Sequence, residues 1–176
     1  RRAMKLVQTL RSLHGNKVGA AIEELHRAEN SLAGALLDLS AQHKADHEIF
    51  HVARDVAAWS QEHVRRLAQV GRDYGLELDP EPQDESTVLA RIKQKGSELT
   101  SGFHEPALLL LADLRHIHAS AAGVSLDWEV LAQTAQAMQD TELLSLAETC
   151  QPETLRQMKW AKAKVKETAA QVMVTG

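Results

Sequence analysis

From Val18 onward the apolar positions recur in steps of four and three: Val18, Ile22, Leu25, then Glu29, then Leu32, Leu36 and Leu39. That spacing is one face of an α-helix packed along a seam. The segment 41–46 offers a turn, with Asp46 as a candidate N-cap. A second stripe follows through Ile49, Val52, Val56, Trp59, His63, Leu67, Val70 and Tyr74, and stops at Gly75. Residues 77–105 break the rhythm. Pro80 and Pro82 forbid continuous helix there, and only Ser86 to Lys95 has the makings of a short one. A third helix opens with Pro106, which is tolerated in a first turn, and carries Leu110, Leu114, Ile117, Ala121, Val124, Trp128, Leu131, Ala135 and Met138. Asp140 is the next candidate cap, with Glu142 in the first turn. The last stripe reads Leu143, Ala147, Cys150, Thr154, Met158, Ala161, Val165, Ala169 and Val172. Pro152 lies inside it and predicts a kink, or a second helix start, near residues 148–152.

The pattern predicts an all-α chain of two antiparallel helical hairpins joined by one long crossover at 77–105. That connectivity is the topology of a ferritin-like antiparallel four-helix bundle. Residues 1–15 read as an N-terminal helical extension ending at Gly15, and 16–176 as the bundle. The start of the third helix, Leu108 to Leu111, is apolar all round, which calls for cover from the crossover or from a second copy. A homodimer through the third helix follows as an expectation.

Composition narrows the function classes. The 176 residues include 3 % aromatics, a single cysteine and a formal net charge of −4. One cysteine excludes an internal disulfide and a cysteine-based zinc site. The isoelectric point near 6.1 gives no general electrostatic footprint for nucleic acid. No apolar run approaches a membrane span, and no leader pattern is legible, so a cytoplasmic location is expected.

Candidate chemistry sits at the centre of the first two stripes. Glu29 and His63 each lie about seventeen residues from the turn at 45–46, so antiparallel helices bring them to the same height. Burying a lone carboxylate is very costly, and His63 is its natural partner. The pair reads either as a hydrogen-bonded core element that fixes register or as part of a metal site. Carboxylate and imidazole donors suit iron, manganese or zinc. At matching height the other hairpin offers His118 and Glu153, which would complete a mononuclear set of Glu29, His63, His118 and Glu153. Six di-metal ligands are not present. The literal Glu48-x-x-His51, continued by Asp55 and Glu62, falls well away from the seam and predicts a solvated flank. His14, His26, His43, His47 and His104 lie near ends, turns or flanks, where exposure is expected. Cys150 lies on an apolar stripe and reads as a small buried hydrophobe. Trp59, Trp128 and Trp160 could line a site for an organic cofactor or lipid, although Trp at seam positions is usually core.

The stretch Glu24-Leu-His-Arg-Ala-Glu29-Asn-Ser-Leu-Ala-Gly-Ala-Leu, with Phe50 onward to His63-Val-Arg-Arg-Leu and Tyr74-Gly75, resembles the first hairpin of bacterial stress-associated proteins of the ferritin-like superfamily. The tail from Glu153 through Trp160 to Glu167 is similar to uncharacterised actinobacterial members. The resemblance implies that Glu29, in its Ala-Glu-x-x-Leu context, matches a metal ligand. The next ligand of that family falls near Trp59, with His63 one turn later. The Glu-His-Tyr-Glu of its third helix meets Arg115-His116-Ile117-His118 here. Two functions are therefore expected in competition. One is a ferritin-like scaffold or interaction module lacking a complete di-iron site. The other is an iron- or manganese-binding oxidoreductase or iron-handling protein centred on Glu29 and His63.

Overall fold

The computed structural model describes residues 2–95 and 105–174, with side chains from Lys17 to Gln94 and from Glu105 to Val174. Among these residues there are five α-helices and no strand. Helix α1 spans Arg2–Gln42, α2 His47–Gly71, α3 Glu85–Lys95, α4 Pro106–Met138 and α5 Thr141–Val172. The third and fourth long helices of the sequence pattern are thus α4 and α5. None of the described helices is long and apolar enough to cross a membrane.

Local chemistry sets the boundaries. The Asp46 carboxylate accepts from Ile49 N at 3.0 Å and caps α2, while Asp140 caps α5 by accepting from Leu143 N at 3.1 Å. Past α2, a short 3₁₀ turn at Arg72–Tyr74 ends on Gly75, at φ 75°, in the left-handed region that favours glycine. Helix α4 starts on Pro106 and ends at Gln139, whose φ of 56° closes the turn into α5 without a glycine.

One boundary expectation needs correcting, and one of two alternatives drops out. No break occurs at Gly15, because α1 is continuous from Arg2. A glycine within a helix lowers its propensity by only about 1 kcal/mol and does not by itself stop it. Nor does α5 restart at Pro152, which sits inside one unbroken helix.

Helices α1 and α2 form one hairpin, α4 and α5 the other. In addition, α1 packs on α4 and α2 on α5. Side-chain bonds fix the directions. His43, at the end of α1, meets Asp113 near the start of α4 at 2.8 Å. Lys164, late in α5, meets Glu48 at the start of α2 at 2.6 Å. Each of these neighbouring pairs is antiparallel.

Buried residues follow strict four–three steps more closely than they follow hydrophobicity. On α2 they include Ile49, Ala53, Val56, Ser60, His63, Leu67 and Val70; on α5 they are Leu143, Ala147, Cys150, Thr154, Gln157, Ala161 and Lys164. Val52, Trp59, Met158 and Val165, chosen for their apolarity, are only partly buried. At the start of α4 the expected cover is incomplete: Leu108, Leu110 and Leu111 are half-buried and Leu109 is exposed.

The crossover runs along α1 in the same direction as that helix. Its extended stretch is held by His26 Nε2 on the Asp79 carbonyl (2.8 Å), by Gln83 N donating to Asn30 Oδ1 (2.8 Å), and by Gln61 Nε2 donating to the Gln83 carbonyl (2.8 Å). It passes so close at Gly34 that an added Cβ would stand 2.5 Å from Gln83 Oε1. Arg91 of α3 then bonds Gln83 and Asp38, each at 2.8 Å.

At the far end of the hairpins, Tyr74 Oη donates to Asp140 Oδ2 at 2.5 Å and ties the end of α2 to the cap of α5. Tyr74→Phe removes this bond to a carboxylate and is expected to lower stability by about 1–2 kcal/mol, read by urea denaturation. An unchanged midpoint would show that the bond contributes nothing net.

Candidate polar centre

The candidate site takes one residue from each long helix. Glu29 comes from the middle of α1, His63 from α2, Trp128 from α4 and Glu153 from α5. The four–three rhythm that buries Leu25 and Leu32 also buries Glu29, which is fully enclosed, and His63 is 1 % exposed.

His63 is the hub. Its Nδ1 lies 2.7 Å from Glu29 Oε1, and its Nε2 lies 2.7 Å from Glu153 Oε2. As an imidazolium the ring donates at both nitrogens, and the short distances suit charge-assisted bonds. Burial works to lower the His63 pKa, but hydrogen bonding to Cys150 and to the Glu29 carboxylate, together with their charges, holds it up to about 10 against the ordinary 6.5. His63 is therefore charged at neutral pH.

Trp128 completes the arrangement. Its indole Nε1 donates to Glu29 Oε1 at 2.6 Å, so that one oxygen accepts from two rings. The Trp128 and His63 rings meet edge to face, with centroids 5.7 Å apart. The second oxygen, Glu29 Oε2, is buried without a hydrogen-bond partner. Desolvation raises the pKa of neighbouring Asp127, and the Glu29 charge raises it further. Glu153 is the set's contact with water, its side chain being 29 % exposed. Just below, Gln157 Nε2 donates to the Val56 carbonyl (2.8 Å) and Ser60 Oγ (2.9 Å), closing α5 onto α2.

Of the four residues expected to share a metal, the structure brings together Glu29, His63 and Glu153. His118 is engaged elsewhere: it is half-buried and its Nδ1 donates to the Met158 carbonyl at 3.1 Å. Among the described residues, no group of three or more His, Cys, Asp or Glu is arranged to hold a metal ion. The chemical reason lies in the imidazole. With both nitrogens facing carboxylates, it has no lone pair to offer a cation. The donors thus do not fit a di-iron centre, and on α4 Arg115, His116, Ile117 and His118 supply no carboxylate.

The remaining candidates fall as follows. Glu48, His51, Asp55 and Glu62 are exposed. Glu62 pairs with Arg65 and Arg66 on the surface of α2. Cys150 is a buried free thiol. His47 is exposed and His26 half-buried. The His43 side chain is only 9 % exposed because Asp113 draws it against α4, which corrects its expected exposure. His104 and the His14 side chain lie outside the described residues.

Two participants were not singled out for these roles in the sequence. Trp128 appears there as core, and its indole donor is invisible to a hydrophobic stripe. Cys150 reads as inert packing, yet it abuts His63. The usable signal is the heptad count, which places Trp128, Cys150 and Thr154 on seam positions of the second hairpin. Comparison with family models, with characterised proteins and with solved structures gives no match.

Proposed function

We propose that this chain is a ferritin-like four-helix bundle whose polar centre is structural, and that it acts as a scaffold or interaction module. The observation that carries this reading is His63, bonded at both ring nitrogens to carboxylates from two other helices. A set closed on itself in this way clamps α1, α2 and α5 together and leaves no ring nitrogen for a substrate or metal. The ferritin-like topology is supported by antiparallel neighbours and by a crossover running along α1 from one end of the hairpin to the other. The grooves lined by Arg66 and Thr149, by Phe50 and Val88, and by Val18 and Met138 contain none of the central residues.

A second reading, an iron- or manganese-binding oxidoreductase or iron-handling protein centred on Glu29 and His63, is favoured by one feature. Glu29 Oε2 is a buried carboxylate oxygen with nothing bonded to it. This reading needs His63 to leave Glu153.

Elemental analysis and a visible spectrum separate the two. Protein produced without added metal is expected to carry no stoichiometric iron or manganese, and no more than its Glu29→Ala variant carries. One metal ion per chain in the wild type, lost in Glu29→Ala, would overturn the structural reading and establish the second.

A further inference from the structure

The outer face of α4 differs from those of its neighbours. The exposed side of α2 includes Asp55, Glu62 and Arg65, and that of α5 includes Glu148, Arg156 and Lys159. On α4 a row of nine exposed positions runs from Leu109 to Ala137 in alternating steps of three and four, and none of them is charged. Only His116 and Gln133 in that row are polar. Leu126 is 68 % exposed, Val130 58 % and Leu109 38 %. Turned well away from it on the same helix, the buried row from Leu114 to Met138 keeps the same rhythm. Helix α4 thus carries two seams, and among the described residues only one of them is covered.

A row in steps of three and four is the pattern by which one helix packs along another. It calls for a helical partner running close to the α4 axis. An anionic membrane surface is a poor match, because helices that lie on one are rich in Lys and Arg on their polar face. Helix α4 holds one basic residue, Arg115, against three acidic ones, Asp113, Asp127 and Glu129.

The row also fits itself. Gly123 is its midpoint, is exposed, and would meet nothing within 4 Å if it carried a Cβ. A glycine there lets a second backbone come close. When a second α4 is turned end for end about a two-fold axis at Gly123, every position faces the one equally far away on the other side. Leu126 then meets Ala119 and Ser120, and Leu109 meets Ala137, large against small. The flanking charges agree with this register. Glu129, which bonds Gln151 of α5, and Arg115 fall on the α5 side of the row by the 3.6-residue period. The axis brings Arg115 of one copy to within about 3 Å of the height of Glu129 of the other. On the α1 side, Asp127 of one copy comes within one turn of His116 of the other. A parallel pair would instead set Arg115 against Arg115, Glu129 against Glu129 and Leu126 against Leu126.

The size is adequate. At ~1.5 Å per residue the row is roughly 42 Å long, and a helix face about 10 Å across makes it roughly 400 Å² per copy. The α1 wall of the adjoining groove, at Lys17 and Ala21, widens it. Both sides together come close to the ~1,000 Å² expected of a specific interface.

We propose that this chain dimerises through α4, two copies packing their Leu109–Ala137 rows antiparallel about a two-fold axis at Gly123. The pairing rests on the interaction reading above and names its partner as a second copy. Metal content tests that reading and oligomeric state tests this one, so either can fail alone.

Light scattering on the eluting full-length chain is expected to show a dimer in the micromolar range. Val130→Glu should weaken it by about tenfold or more. Because Val130 is exposed, that variant should keep the wild-type helical circular dichroism and melting temperature. Oxidative cross-linking reads the orientation, Cys150 being buried. Gly123→Cys should couple two chains readily, since the axis sets the two positions face to face. Val130→Cys should not, its two copies lying roughly 21 Å apart along the helix direction. A wild-type monomer throughout the micromolar range overturns the proposal, and so does a dimer untouched by Val130→Glu. Val130→Cys cross-linking as readily as Gly123→Cys would overturn the antiparallel axis. Monomeric protein that co-sediments with phosphatidylglycerol vesicles would overturn the pairing in favour of a membrane surface.

Discussion

Replacing Glu29 with leucine alone is expected to destabilise the fold by about 3–5 kcal/mol, and replacing His63 with leucine as well should restore part of that loss. The single change takes away the acceptor at His63 Nδ1 and at Trp128 Nε1 together. It leaves a buried imidazolium with Glu153 as its one remaining carboxylate partner. The double change removes the charge that needed holding. Glu153, 29 % exposed, then has water within reach. What remains unpaired is one indole N–H, whose burial costs about 1–3 kcal/mol. Urea denaturation of the wild type, both single variants and the double variant closes the cycle, and a coupling energy opposite in sign to the single losses is expected. A double variant less stable than Glu29→Leu would show that the two residues are not simply partners.

Stability is also expected to fall as the solution is made alkaline, with His63 as the cause. Its folded-state pKa, about 10, lies above the ordinary 6.5. A group raised in this way holds its proton when folded and gives it up when unfolded. Its contribution is complete below pH 6.5, shrinks as pH rises, and is gone once pH passes the folded value. The slope reaches about 1.4 kcal/mol per pH unit, so the total is of the order of several kcal/mol. The groups facing the ring are Glu29 of α1, Trp128 of α4, and Cys150 and Glu153 of α5. Denaturation midpoints between pH 6.5 and 10 give the measurement, with the Glu29→Leu/His63→Leu variant as reference. Parallel curves for the two proteins would remove His63 from the account.

The sequence made the backbone plan legible because helices announce themselves by period. Asp46 and Asp140 as caps, Gly75 as a stop and Pro106 as a start all depend on local chemistry within a turn. Glu29 and His63 could be paired by counting outward from one short turn, since a tight hairpin transmits height with little error. The contribution of Glu153 was harder to read. It approaches His63 across 90 residues and a crossover, and no local count carries height over that distance. Side chains chosen for greasiness also misplaced parts of two helices. Trp59 and Met158 lie one position beside the seam, which runs through Ser60 and Gln157 because they bond each other across it. Pro152 allowed either a kink or a second helix start, and only the second start is ruled out, because α5 runs through it. A proline costs a hydrogen bond and strains the turn before it, yet Cys150 and Thr154 on either side are both fully buried and hold the helix in place.

The tie between crossover and first hairpin limits how this molecule can meet others. His26, Asn30, Asp38 and Gln61 all point outward from that hairpin, and all four are occupied by the chain's own connection. A visitor approaching from that side would meet an already dressed surface and would have to evict several bonds at once. The most exposed large apolar side chains of the described helices, Leu126 and Val130, lie instead on α4, away from that dressed surface.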